Sequence, residues 1–244
     1  MKSRKLLLVL FTFSLTGCTT VAPSSDSAKK PDTGKTGAFA LWPLPDRSDL
    51  SSTGRNPYFI LEPGYRLVLK TSDGIDSLTI SVLNETRQVD GVQTRVVEER
   101  ETKHGKLIEV SRNYFAIAKS SKDVFYFGEE VDTYKDGKIT GHEGAWLAGV
   151  NGARPGLMMP GNPRVGDRFY QEQAHDVAMD RCEIVSTSES ATTPAGMFTD
   201  CLKTAEGSDL EKGDSESKLY APGVGLIAEE DFRLVEYTRA AAGK

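Results

Sequence analysis

The sequence predicts an all-β protein built as an antiparallel curved sheet or open barrel of about ten strands. Three observations lead to this prediction. From Asn56 onward, apolar and polar residues alternate in run after run, as they do in strands with one buried face. Asp-Gly pairs and other glycine turns separate the runs at intervals of roughly fifteen residues, which favours hairpins over crossover helices. No window shows the periodicity of a long amphipathic helix.

The predicted strands form two groups, one on each side of a stretch rich in Gly and Pro at 149–166. The first group covers 65–71, 77–89, 92–102, 106–119, 124–134 and 138–147. Its turns include Asp90-Gly91 and Asp136-Gly137, pairs that favour tight hairpins. The second group covers 180–193, 198–205, 216–220 and 225–237. We expect the stretch 149–166 to be a long loop whose Leu and Met residues plug one end of the barrel, with a lid over a cavity as the alternative.

The first residues of the chain resemble a bacterial lipoprotein signal. Lys2, Arg4 and Lys5 precede a short apolar run that is too short to span a bilayer as a helix. The run ends in Leu-Thr-Gly-Cys18, which resembles the lipobox. The resemblance implies that residues 1–17 are a signal peptide and that Cys18 is diacylated, for example with palmitate, and becomes the mature N-terminus. A plain secretory peptide with an incidental cysteine is the alternative.

The segment after Cys18 predicts a membrane-anchored domain on a tether. Residues 18–36 comprise the lipidated cysteine and a polar, aperiodic stretch that cannot bury enough surface to fold. Residues 37–54 form an irregular lead-in, and 55–240 form a single antiparallel β domain. Thr19 stands where lipoproteins retained in an inner membrane carry Asp. In a Gram-negative source this residue therefore implies the periplasmic face of the outer membrane.

Composition excludes some functions and leaves others open. The net charge of −5 argues against a nucleic-acid partner. The chain has no His-x-x-x-His, Cys-x-x-Cys or Gly-x-Ser-x-Gly motif, so neither a standard zinc site nor a nucleophile elbow is predicted. We therefore expect a protein that is not an enzyme and has no cofactor. A hydrolase using carboxylate catalysis is the weakest of the interpretations considered.

Residues 132–143 match most of the template for a calcium-binding loop. Tyr134 stands where the template needs an oxygen ligand, and both flanks read as strands instead of helices. A hairpin turning at Asp136-Gly137 fits the flanks better. It places Glu130 opposite Glu143, with Asp132 on the same face.

Like charges facing each other on a sheet need compensation. Solvation, a nearby Arg or Lys, a shared proton and a divalent cation are the alternatives. The last alternative makes Glu130, Asp132 and Glu143 the candidate calcium ligands.

The same hairpin register places Phe125, Phe127, Val131 and Trp146 on one face of the sheet. These side chains line a ligand cavity or belong to an ordinary packed core.

Two cysteines remain after Cys18. An oxidising compartment favours a disulfide between Cys182 and Cys201. However, a turn at 194–196 places Cys201 opposite Glu189 instead, which favours two free thiols. Both alternatives stay open.

Three motifs resemble those of secreted bacterial proteins and lipoproteins: NPYFILEPG at 56–64, TPAGMF at 193–198 and YAPGVGLI at 220–227. Some of these proteins resemble the LolA-like (lipoprotein-carrier) group, a half-open antiparallel barrel with an apolar concave face. The resemblance implies a fold and no catalytic residue. Together with the lipobox, it predicts a non-catalytic envelope lipoprotein that binds a hydrophobic or amphipathic ligand, or a partner protein. A calcium-binding envelope module is the alternative.

Overall fold

The computed structural model describes residues 38–211 and 215–238. The predicted signal peptide, Cys18 and the tether lie outside these residues. The described chain begins with one 3-10 turn, Arg47–Asp49. Its strands, numbered in chain order, are β1 Leu50–Ser51, β2 Gly54–Asn56, β3 Phe59–Leu61, β4 Arg66–Lys70, β5 Ser77–Val89, β6 Val92–Lys103, β7 Lys106–Ala118, β8 Val124–Lys135, β9 Lys138–Gly141, β10 Trp146–Leu147, β11 Arg154–Met159, β12 Arg168–Tyr170, β13 Glu172–Gln173, β14 Asp180–Thr193, β15 Gly196–Ser208, β16 Glu216–Ala221, β17 Gly225–Glu229 and β18 Phe232–Thr238.

The main sheet is antiparallel and curves almost into a closed barrel, which confirms the predicted fold class. Its strands follow the order β12-β14-β15-β16-β17-β18-β4-β5-β6-β7-β8-β11-β13. These are thirteen strands, slightly more than predicted. Hairpins connect most neighbours, because the chain has too few residues between them for crossover helices. No helix among the described residues has the length and apolar character needed to cross a membrane.

One extended segment, 168–173, brings the two ends of the sheet together. Its first half, β12, pairs with β14, where Phe169 lies opposite Cys182. Its second half, β13, pairs with β11 at the other end of the sheet. Between them, the Gln171 amide donates to the Asp180 carbonyl at 2.8 Å. The segment therefore supplies hydrogen bonds to both edges, which would otherwise be unpaired.

The hairpin turns form where the sequence predicts them. Asp90 and Gly91 have φ values of 44° and 74°, and Asp136 and Gly137 have 51° and 75°. Positive φ at both central residues matches the twist of the flanking strands.

The stretch 149–166 is only partly the predicted loop, because its centre forms β11 against β8. The many glycine and proline residues of this stretch, among them Pro155 and Gly156, favoured a loop. Pro155 has no amide hydrogen to donate, but it lies near the end of the sheet, where the missing hydrogen bond costs least. Leu157 and Met159 are buried in the core, while Met158 is half-buried. The stretch therefore contributes to the barrel wall.

The described part of the lead-in packs across the end of the barrel. Trp42 meets the ring of Phe169 edge-on at 6.0 Å and donates to an Asp123 carboxylate oxygen at 3.3 Å. Leu50 and Ser51 pair with the end of β7. Because these residues cover the end of β7, they help to bury residues 114–118 on both faces of the strand.

Of the two alternatives for the cysteines, the structure has the free thiols. The hairpin of β14 and β15 places Cys201 opposite Glu189 and Cys182 opposite Glu206. Both thiols are free and buried. The disulfide alternative therefore does not form, because the register separates the two residues along the strands.

We expect these thiols to be protected from reagents in the folded protein. Burial raises the pKa of both Cys182 and Cys201, so little thiolate forms at neutral pH. In the full chain carrying Cys18→Ala, a colorimetric thiol assay should register slow reaction when the protein is native. After unfolding without reductant, the assay should register both thiols. No thiol release after unfolding would contradict the register described here.

Candidate functional site

The interior of the barrel holds two adjoining cavities, and a β-bulge in β8 decides which side chains border them. Phe115 pairs with Tyr126, but Asn113 pairs with Glu129, so β8 carries one additional residue here. Gly128 lies in this bulge with φ of 141°. A Cβ on Gly128 would lie 2.5 Å from the Trp146 carbonyl oxygen, so only glycine fits.

The bulge divides the four aromatic and apolar residues that the sequence predicts on one face. After the bulge, Val131 borders a cavity, and Trp146 packs edge-on against Tyr126 at 5.2 Å. Before it, Phe125 pairs with Ala116 on the opposite face, and Phe127 is fully buried in the core. The prediction of a common face was wrong because it assumed unbroken alternation through Gly128.

The first cavity is apolar and lies under β3, β4, β5 and β17. Its volume is about 70 Å³ measured at the centres of water molecules, several times the ~10–15 Å³ that one water needs. Its wall is mainly aliphatic and aromatic: Tyr58, Phe59, Ile60, Tyr65, Leu67, Leu78, Ile80, Val82, Val97, Met158, Tyr220, Val224, Gly225 and Leu226. We call it the apolar cavity.

The second cavity is polar and about twice as large, at about 130 Å³. Its wall includes the stacked rings of Phe115 and Tyr126, whose centroids lie 4.8 Å apart. Acidic side chains form much of the remainder: Glu99, Glu109, Glu129, Glu143, Glu172, Asp180 and Glu206. We call it the acidic cavity.

Glu99, Met158 and Lys218 border both cavities, so the two cavities adjoin. Lys218 lies 3.2 Å from a carboxylate oxygen of Glu206 and 3.4 Å from one of Glu229. Burial lowers the pKa of Lys218, but these two carboxylates raise it well above its ordinary value. Lys218 is therefore charged, and it holds two glutamates together in the interior.

The hydroxyl groups of the interior reinforce this ion cluster. Tyr220 donates to a Glu206 carboxylate oxygen at 3.2 Å, and Thr204 donates to the same oxygen at 2.8 Å. Burial raises the pKa of Tyr220 well above its ordinary value, which keeps the phenol protonated as a donor.

Glu99 differs from the other acids near Lys218. No side-chain hydrogen bond or ion pair joins its carboxyl to another described residue, although it is half-buried and lies between the two cavities. Burial and the neighbouring charge of Glu229 raise its pKa to about 8, against the lowering effect of Lys218. The Glu99 carboxyl thus feels the charge of Lys218 but has no hydrogen bond or ion pair with another described side chain.

The proposed calcium ligands lie outside this interior or at its edge. Glu130 forms an ion pair with Arg87. Asp132 lies 3.5 Å from Arg112 and 3.0 Å from the imidazole of His142. Glu143 is exposed at the rim of the acidic cavity. Arginine and histidine therefore lie where calcium would be needed, and the described residues contain no group of three or more metal-ligating side chains.

The pairing of Glu130 with Glu143 fails for a local reason. β9 pairs with β8 in the expected register at Tyr134 and Ile139, and the register then shifts at Thr133. The strand ends at Gly141, before Glu143 is reached. The carboxylates of Glu130 and Glu143 are thus separated along the sheet. Of the alternatives for balancing their charge, a nearby arginine is the one that the structure has, as Arg87 beside Glu130.

The sequence analysis missed Glu99, Lys218, Glu206 and Glu229. One signal marks two of them in retrospect: Glu99 follows Val97 and Lys218 precedes Tyr220 at a spacing of two, so each continues a series of inward-facing residues. A charged residue in a buried face is expensive unless paired. A charge in such a series therefore indicates an interior ion cluster or a cavity.

Comparisons with family models, with curated proteins and with solved structures found no match to this chain. The likeness to the LolA-like group stays a resemblance of motifs, and the fold and the two cavities are the observations that bear on function.

Proposed function

We propose that this chain is a membrane-anchored envelope lipoprotein whose barrel binds an amphipathic ligand. The observation that supports binding most strongly is the pair of adjoining cavities, one apolar and one acidic, which share three residues of their walls. A close-packed core leaves few spaces larger than a water molecule. These cavities have space for several molecules of water, and their walls are apolar on one side and polar on the other. Small-molecule sites usually have this form.

The two halves of the interior suit the two parts of such a ligand. Aliphatic and aromatic walls favour an alkyl chain or ring, since burying apolar surface contributes roughly 25 cal/mol per Å². The acidic cavity offers charges and hydroxyl groups to a polar head. Met158 lies between them, and its flexible side chain adapts to ligands of different shape.

The anchor is supported by the order of features at the start of the chain. Basic residues, a short apolar run and a lipobox-like Leu-Thr-Gly-Cys18 follow one another as in lipoproteins. Two or more acyl chains on one residue give stable membrane attachment. Thr19 favours an outer-membrane location in a Gram-negative cell, with the barrel in the periplasm.

A cavity-filling substitution tests the binding site. Ile80 is half-buried in the wall of the apolar cavity, so Ile80→Trp should occupy the space a ligand needs. In the Cys18→Ala chain, we expect it to weaken binding of the neutral fluorescent probe N-phenyl-1-naphthylamine about tenfold or more, as measured by titration.

The matched control is the same substitution at Ile139, which is 51% exposed on β9. Ile139→Trp should leave the affinity for the probe unchanged. Equal affinities in all three proteins would place the probe outside the barrel and contradict the proposed site.

The anchor has a separate test in living cells. Radiolabelled palmitate should enter the wild-type chain and should not enter the Cys18→Ala variant. Equal labelling of both proteins, or no labelling of either, would refute lipidation at this residue.

A further inference from the structure

Most of the charged side chains around the two cavities are acidic. Seven acidic side chains border the acidic cavity, and Lys218 is the basic residue in its described wall. Glu229 adds an eighth acid where the wall continues into the apolar cavity. An anionic head group would meet repulsion from nearly every side, whereas a cation would be attracted.

Lys218 offsets only part of this charge, because it is one cation among eight acids and its ion pairs within 3.4 Å are with Glu206 and Glu229. The carboxyl group of Glu99 remains, at the junction of the cavities and without a hydrogen-bonded partner among the described residues. A buried carboxyl with no partner either keeps its proton or takes up a cation. Glu99 therefore indicates where a positive charge would gain most.

The aromatic rings of the acidic cavity favour an organic cation over a metal ion. Phe115 and Tyr126 form part of its wall, and a quaternary ammonium group gains energy from contact with aromatic rings. Metal ions instead need several converging oxygens. The described residues do not provide such a group.

We propose that the ligand of this barrel is an amphipathic organic cation, with its apolar part in the apolar cavity and its ammonium group beside Glu99 in the acidic cavity. This inference rests on the proposed function, because it assigns the chemical class of the ligand to the same interior.

Three amphiphiles with the same octyl chain test the head group. Octyltrimethylammonium, octyl glucoside and octyl sulfate would each be titrated against the full Cys18→Ala chain, with displacement of N-phenyl-1-naphthylamine as the readout. We expect the cation to bind at least about tenfold more tightly than the neutral and anionic compounds. Affinity for the cation should rise as the pH increases through about 8, because ionised Glu99 attracts it.

Glu99→Gln is the decisive variant. Measured above pH 8, where the Glu99 carboxyl is ionised, it should lower affinity for octyltrimethylammonium about tenfold and change affinity for octyl glucoside much less. The control Glu85→Gln alters an exposed carboxyl on β5, remote from the cavity wall, and should change neither affinity.

The outcomes separate this inference from the proposed function. If all three amphiphiles displace the probe equally, or if Glu99→Gln and Glu85→Gln behave alike, the cationic preference is refuted and the barrel still binds amphiphiles. If calcium ions displace the probe as well as octyltrimethylammonium does, the organic cation is likewise refuted. If no compound displaces the probe, both proposals fall.

Discussion

Replacing Lys218 by methionine should lower the free energy of unfolding by about 3–5 kcal/mol near pH 8 and by much less near pH 5. The substitution keeps the apolar stem and removes the charge that lies within 3.4 Å of Glu206 and Glu229. Two buried carboxylates then face each other uncompensated. The stability of the variant should be measured by urea unfolding at both pH values.

The pH dependence follows from the direction of the shifts. Burial raises the pKa of Glu229 even with Lys218 present, and loss of Lys218 removes an effect that lowers it. A carboxyl whose pKa is higher in the folded state than in the unfolded state binds its proton more tightly when folded. Its unfavourable effect is absent below the unfolded pKa, near pH 4.5, and grows as the pH rises through the folded pKa.

Lys106→Met is the matched control. Lys106 also forms an ion pair, with Asp136 at 3.7 Å, but both side chains are more than three-quarters exposed. Its loss should change stability by less than about 1 kcal/mol at either pH, since exposed pairs contribute little. An equal loss for Lys218→Met at both pH values would show that its charge does not hold the interior acids together.

Gly156→Ala should lower the free energy of unfolding by about 2–3 kcal/mol by forcing apart the two ends of the sheet. A Cβ on Gly156 would lie 2.5 Å from the carbonyl carbon and oxygen of Gln171, and it would also collide with the Tyr170 carbonyl oxygen. These are backbone atoms of the segment 168–173 that closes the barrel, so they cannot move aside as a flexible side chain can. Thermal and urea unfolding would measure the loss.

Gly207→Ala provides the control for adding a methyl group to a strand glycine. A Cβ on Gly207 would make ordinary contacts with Ser215 at 3.8 Å and 3.9 Å. We expect its stability to stay within about 0.5 kcal/mol of the wild-type value. Wild-type stability in Gly156→Ala would mean that the sheet is not held closed at this point.

The local rules of β structure predicted much of this fold. Alternation located the long strands, and the turns at Asp90-Gly91 and Asp136-Gly137 have the backbone that their residues favour. The register argument also placed Cys201 opposite Glu189, as the structure has it. These features depend on neighbours in sequence or on one hairpin, which is why the sequence reveals them.

The interior was harder to predict because it depends on contacts between distant segments. The bulge at Gly128 reverses which face of β8 points inward, and it lies where the backbone of Trp146 and Leu147 approaches closely. Lys218 and Glu229 face each other across one hairpin, but Glu99 comes from β6, a distant strand of the sheet, and reaches them only when the sheet curves. The sequence analysis therefore sought ligands near Asp132 and did not consider the charges inside the barrel.

The central claim is that one amphipathic molecule occupies the interior of the barrel, and native mass spectrometry tests it most directly. Three forms of the full Cys18→Ala chain would be mixed with octyltrimethylammonium: the otherwise wild-type protein, Ile139→Trp and Ile80→Trp. We predict a single saturable adduct in the first two and none in Ile80→Trp, whose new ring fills the apolar cavity. Adducts of equal abundance in all three, or several adducts without saturation, would contradict the claim.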